Sequence, residues 1–150
     1  MKSSETHNLI HSWFSLLDDW ESEDDPSLTV AVGSVENDKQ RIDSVAEQIR
    51  EGLPINVCID IAHGDSKHMW ATLRYIHKIT PKNKGAIIAG NVCTYEAACR
   101  LFDSGADIVK VGVGGGSACT TRIKTGCGYP QLAAITECAE AGPIIADGGI

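Results

Sequence analysis

Short apolar runs alternate with longer segments of helical periodicity along nearly the whole chain, and this alternation restricts the fold more than any other feature. Leu28-Thr-Val-Ala-Val-Gly33 reads as a buried strand. Residues 38–51 then repeat apolar side chains at Ile42, Val45, Ala46 and Ile49, a helical face that stops before Gly52. The pattern returns as Ile55-Asn-Val-Cys-Ile-Asp60 with a helix over 66–79, and as Gly85-Ala-Ile-Ile-Ala-Gly90 with a helix over 94–104 closed by Gly105. Asp107-Ile-Val-Lys-Val-Gly112, a helix over 130–141 and Pro143-Ile-Ile-Ala146 complete the series, with roughly 25 to 35 residues per strand–helix pair. Ahead of it, Ile10, Trp13, Phe14, Leu16, Leu17 and Trp20 are spaced for a short amphipathic helix, followed by an acidic linker.

Apolar strands separated by helices pair in parallel with right-handed crossovers, which leaves a doubly wound sheet or a (β/α)8 TIM barrel. The placement of polar and glycine residues separates the two. They follow almost every strand, at Gly33-Ser34, 60–64, Gly90-Asn91, 112–119 and Asp147-Gly148-Gly149. A ring of functional loops at strand C-terminal ends is the barrel arrangement, whereas a doubly wound sheet gathers its chemistry at one switch point. The fold expected is therefore α/β, a partial TIM barrel with about five of eight strands. The 150 residues form one incomplete domain, with 1–27 as an N-terminal segment and linker and 28–150 as barrel. Because the last strand signal runs into Gly148-Gly149-Ile150, a further element is expected after it and the chain reads as part of a longer protein.

A formal net charge of −7 and the absence of any lysine or arginine run argue against nucleic acid as a partner and favour a small molecule. No apolar stretch approaches a membrane span and the N-terminus lacks a secretory core, so a cytoplasmic protein with no membrane partner is expected. The six cysteines lack the close pairing of zinc sites, and most read as reduced, buried small hydrophobes.

Candidate chemistry concentrates in Val111-Gly-Val-Gly-Gly-Gly-Ser-Ala-Cys-Thr-Thr-Arg122. Cys119 sits where backbone N–H groups of a glycine-rich loop can stabilise a thiolate, although a structural cysteine is the plainer reading. Thr121 is a proton relay or a local backbone cap, and Ser117 a phosphate donor or a turn residue. Gly114-Gly115-Gly116 can cradle an anion or aim carbonyls at a cation, but no Gly-Lys-Ser/Thr follows, so it is not a P-loop. Asp60 and Asp147 each end a strand, as acceptors for ribose hydroxyls or as helix N-caps. His63 reads as a loop residue rather than a metal ligand. Lys110 and Arg122 are the basic side chains bordering the loop, either functional or simply solvated.

With these residues in view, the chain from about Leu28 to Ile150 resembles the IMP dehydrogenase/GMP reductase family. The resemblance rests on Ile59-Asp-Ile-Ala-His-Gly64, Ile88-Ala-Gly-Asn-Val92, Gly105-Ala-Asp-Ile-Val-Lys-Val-Gly112, Gly114-Gly-Gly-Ser-Ala-Cys-Thr-Thr-Arg122, Thr125-Gly-Cys-Gly-Tyr-Pro-Gln-Leu132 and Ile145-Ala-Asp-Gly-Gly149. The Cys-Thr-Thr-Arg and Gly-Tyr-Pro-Gln-Leu pieces are similar to the reductase branch. That branch implies a (β/α)8 barrel converting GMP to IMP and ammonia with NADPH in purine nucleotide salvage. It also implies Cys119 as the nucleophile that forms a thioimidate and Thr121 as the proton-transfer residue. By the same resemblance, Asp60, Ile61, Ala62, Val113 and Gly114 bind NADPH, and Ser117, Asp147, Gly148 and Gly149 bind GMP. Gly114, Gly116, Cys119 and Arg122 would hold a monovalent cation, K+, and the full-length parent would be a homotetramer.

Two departures stand out. The family's Gly-Pro-Gly-Ser is Gly114-Gly115-Gly116-Ser117 here, which loosens the loop without removing a donor, and a cofactor-contacting lysine falls at or near Ser12. Two other functions stay open: oxidation of IMP with NAD+ through the same cysteine, as in the dehydrogenase branch, or nucleotide binding without catalysis.

Overall fold

The computed structural model describes residues 28–80 and 85–150. The helix expected over 9–20, and Ser12 with it, lie outside these residues. Five strands alternate with helices: β1 (Leu28–Val32), α1 (Val35–Arg50), β2 (Ile55–Asp60), α2 (Lys67–Ile79), β3 (Ile87–Val92), α3 (Tyr95–Asp103), β4 (Ile108–Val111), α4 (Thr121–Thr125), α5 (Gln131–Ala139) and β5 (Ile144–Ala146). The strands form one parallel sheet in the order β1-β2-β3-β4-β5. A doubly wound sheet would reverse its order at a switch point. Unbroken sequential order is the topology of a barrel arc, so the expected α/β partial barrel is the observed fold.

Register divides each strand into two faces, because alternate residues point to opposite sides of the sheet. Val57 pairs with Ile87, Ile59 with Ala89, and Ala89 with Val109, and all five belong to the buried core. Against this row pack the apolar stripes of the helices: Ile42, Val45 and Ile49 from α1, Met69, Leu73 and Ile76 from α2, Leu101 from α3 and Ala134 with Cys138 from α5. The i, i+3, i+4, i+7 spacing visible in the sequence is what puts each set on one side of its helix. Thr72 is fully buried within this layer, yet its hydroxyl donates to the His68 carbonyl at 2.7 Å and accepts from the Val35 N–H at 2.8 Å. That pair of bonds ties the start of α1 to α2 and satisfies a buried polar group.

Most boundaries fall within two residues of the sequence expectation, and three departures are informative. Helix α1 begins at Val35 rather than 38, because Ser34 is extended and its carbonyl accepts from Asn37 and Asp38. Asp38 itself departs from helical angles, and its carboxylate accepts from the Gly33 N–H at 2.9 Å. Strand β3 runs from Ile87 to Val92, two residues later than the apolar run suggested. Ala86 is held outside it by the Asn56 side chain, and Asp107 accepts from the Ile87 N–H at 2.7 Å. Finally, the short α4 carries no buried residue and so left no periodic signal to read.

Ser66 and Thr94 cap α2 and α3 by accepting from the N–H groups of Met69 and Ala97, the role expected of hydroxyl residues at that position. The cysteines depart from the reading as buried hydrophobes. Cys58 and Cys138 are buried, Cys93, Cys99 and Cys119 are half-buried and Cys127 is exposed; all six are free thiols. Among the described residues no helix is long and apolar enough to cross a membrane.

Candidate active site at the strand C-terminal ends

Parallel strands deliver their C-terminal ends, and the loops that follow, to one edge of the sheet. There the segments after β2, β3, β4 and β5 enclose an open pocket of about 490 Å³. Asp60, Ile61 and Ala62 form one side, Val113 to Gly116 with Cys119 and Thr121 another, and Asp147 with Gly148 a third. Segments nearly ninety residues apart in sequence thus meet at one site. Ser117, Gly149 and Arg122 do not line this pocket; Ser117 and Arg122 are exposed, and Arg122 packs beside Gly128.

The glycine loop bends back on itself at its reactive end. Cys119 N–H donates to the Gly116 carbonyl at 3.0 Å, and Thr121 opens α4, whose first turn is closed by the Thr125 hydroxyl on the Thr121 carbonyl at 2.7 Å. The Thr121 hydroxyl, then the Thr121 N–H, hold the Cys119 thiol below its ordinary pKa, with Gly114 and the Arg122 charge adding to the effect against some burial. A lowered pKa increases the thiolate fraction at neutral pH, which is the nucleophilic form. Burial instead pushes Cys58 and Cys93 up, and Cys138 up to about 11. One cysteine among the described residues therefore combines pocket access with a stabilised thiolate.

Backbone-to-backbone approach supports the loop. A Cβ on Gly149 would lie 2.6 Å from the Gly115 carbonyl carbon, so the turn after β5 rests directly on the loop after β4. Gly149 also has φ +72°, where a side chain is strained. Its part in the site is to let these two loops touch. Gln131, buried at the start of α5, donates from Nε2 to the Val111 carbonyl at 2.9 Å and lies against Gly112 and Gly115 from beneath.

Asn91 was assigned no role from the sequence, and those of Lys110, Asp60 and Asp147 were left open. Asn91 is the extra residue of a bulge, since Gly90 pairs with Lys110 and Val92 with Val111. Bulges re-aim side chains, and Asn91 Nδ2 donates to the Gly112 carbonyl and to Asp147 Oδ2, both at 2.8 Å. Lys110, readable as solvated, has a side chain only 15% exposed and lies 3.0 Å from Asp60 Oδ2 and 3.1 Å from Asp147 Oδ2. Although burial works against its ammonium, the bonds to Asp60 and then Asp147 raise its pKa. The Asn91 amide, then Lys110, lower that of Asp147. Among the described residues neither aspartate caps a helix: α2 and α3 start from Ser66 and Thr94, and Asp147 follows β5 directly.

Among the described residues no cluster of His, Cys, Asp and Glu is arranged to hold a metal ion. Of the set expected to hold a cation, Gly114, Gly116, Cys119 and Arg122, the Gly116 carbonyl accepts from the Cys119 N–H at 3.0 Å. Gly114 and Arg122 approach closely enough that a Cβ on Gly114 would be 3.4 Å from that of Arg122, so the two ends of this set are adjacent.

The site is that of a barrel with a cysteine loop after its fourth described strand, and comparison with known proteins gives it a family. The model of the IMP dehydrogenase / GMP reductase domain matches residues 18–150, and the chain belongs to that family. GMP reductase of Aeromonas hydrophila is 43% identical over 99% of this chain and 45% of its own length. GMP reductase 1 of Homo sapiens is 41% identical over 99% of this chain and 45% of its own. Inosine 5'-monophosphate dehydrogenase of Legionella pneumophila is similar in structure, with a TM-score of 0.69 and 45% identity over 81% of this chain and 36% of that one. The chain thus spans less than half the length of the curated relatives it matches.

Proposed function

We propose that this chain supplies the cysteine-loop portion of a GMP reductase, converting GMP to IMP and ammonia with NADPH in purine nucleotide salvage. The observation that carries this reading is Cys119, its thiolate favoured by Thr121, in a pocket bordered by Asp60 and Asp147. The relatives named GMP reductase support the choice of reaction.

In this reading the Cys119 thiolate attacks C2 of the purine and forms a C–S bond. The C2 amino group takes up a proton and departs as ammonia, leaving a thioimidate. Covalent catalysis of this kind divides one difficult displacement into two easier steps. Thr121, whose hydroxyl favours the Cys119 thiolate, moves protons at the adjacent leaving group. When bound, NADPH supplies hydride chemistry, two electrons delivered to C2. The C–S bond then breaks and the thiolate is restored as IMP forms.

Asp60, Ile61, Ala62, Val113 and Gly114 would hold the cofactor, because they form adjoining walls of one pocket. Asp147 and Gly148 would take the ribose of GMP, with Gly149 supporting the turn and Ser117, at the exposed rim, meeting the phosphate. K+ would sit on the carbonyls of Gly114, Gly116, Cys119 and Arg122 and stiffen the loop. A homotetramer in the cytoplasm completes the reading.

The test is NADPH oxidation with GMP, measured on this chain fused to the C-terminal half of the Aeromonas hydrophila relative. Turnover is expected, and Cys119→Ala should lower kcat by at least ~10³-fold; undiminished activity in that variant would sink the assignment. A second reading, oxidation of IMP with NAD+, is favoured by the likeness to the Legionella pneumophila dehydrogenase. The same fusion supplied with IMP and NAD+ separates the two.

A further inference from the structure

The side chains of Asp60 and Asp147 leave two different strand ends, β2 and β5, and are not neighbours in the sheet. What joins them is Lys110 on β4. In register, Asp60 pairs with Gly90 and Gly90 with Lys110, so a glycine lies between the aspartate and the lysine. A Cβ placed on Gly90 would come 2.4 Å from that of Lys110. The missing side chain clears the path along which Lys110 crosses β3 to reach Asp60 at 3.0 Å, while its other contact is Asp147 at 3.1 Å.

We infer that Lys110 is a positioning residue that fixes the two pocket carboxylates as a single acceptor array, Asp60 toward one ligand and Asp147 toward the other. The role rests on the functional reading above, since it supposes that cofactor and nucleotide occupy the two sides. It deepens that reading by coupling the sides through one ammonium. Lys110 does not line the pocket itself, so its effect passes through the carboxylates. One ammonium between two anions offsets their mutual repulsion and leaves the second oxygen of each carboxylate for ligand hydroxyls. Asn91 adds a neutral donor to Asp147 at 2.8 Å. The titratable groups interacting with Lys110 are Asp60 and Cys58 from β2 and Asp147 from the turn after β5.

The experiment is calorimetric titration of the fused protein with GMP and, separately, with NADPH, on wild type, Lys110→Met and Lys110→Arg. Loss of the ammonium should weaken both ligands by roughly tenfold, as expected when a charged hydrogen-bond partner is removed. It should also move the acid-side loss of GMP affinity to higher pH, because Asp147 then holds its proton more tightly. Arginine, which keeps the charge and the donors, should restore most of both effects. Lys110→Gln serves the same comparison should the methionine variant not fold. A drop in thermal stability with both affinities unchanged would overturn the role while leaving the functional reading intact. A wild-type protein that binds neither ligand would overturn that reading, and this role with it.

Discussion

The two faces of the sheet are built on opposite principles. On the helix-covered face, Val57, Ile59, Ala89, Val109 and Val111 form an unbroken apolar row, each at most 2% exposed. On the other face, and at the strand ends beside it, stand Cys58, Asp60, Gly90, Lys110 and Ile145, where charges are paired and a glycine makes room. Burying methylenes on one side contributes the stability that permits polar, strained and half-exposed groups on the other.

The sharpest way to break this comparison is to damage the apolar face. Leu73→Ala removes a fully buried side chain from α2, and should cost about 2–5 kcal/mol of unfolding free energy in a denaturant titration. Ile145→Ala, at a side chain 40% exposed, should cost less than about 1 kcal/mol in the same measurement. Equal losses at the two positions would show that the faces do not differ.

A smaller effect, confined to the reactive edge, concerns the thiol. Cys119 should alkylate with iodoacetamide faster than the other cysteines near neutral pH, read by peptide mass spectrometry. Thr121→Val should shift its pH–rate curve to higher pH, since the main donor to the thiolate is removed. An unmoved curve would mean that the hydroxyl does not govern the sulfur.

The smallest change lies outside both faces. Arg100 binds Asp65 through two bonds, Nε to Oδ1 at 2.9 Å and Nη2 to Oδ2 at 2.6 Å, and the hydrogen bond from Arg100 lowers the Asp65 pKa. A depressed carboxylate pKa contributes stability above its unfolded value that is lost as pH falls through the folded one. Arg100→Gln should therefore lower melting slightly at neutral pH, with the difference from wild type vanishing as pH falls through the folded pKa of Asp65, so that the acid side of the stability curve flattens. An unchanged acid slope would show the pair to be without effect, as many exposed ion pairs are.

Strand and helix periodicities were legible because burial on one face repeats at fixed intervals. Strand β2 was readable to its last residue, and the hydroxyls of Ser66 and Thr94 lay where helices α2 and α3 begin. The position of Cys119 in a glycine loop after a strand was legible too, because glycine density marks close backbone approach. Helix α4 was not, since it buries nothing, and the Asn91 bulge was not, since register depends on the partner strand.

The alternation of elements, the polar strand ends and the cysteine loop all follow from local pattern along the chain. The sequential order of the strands came from tertiary structure alone. That structure alone showed that Lys110 crosses Gly90 to join Asp60 and Asp147. Those facts join residues up to 87 positions apart, from Asp60 to Asp147. Contacts of that range are set by sheet register and crossover geometry, which periodicity along one chain does not encode.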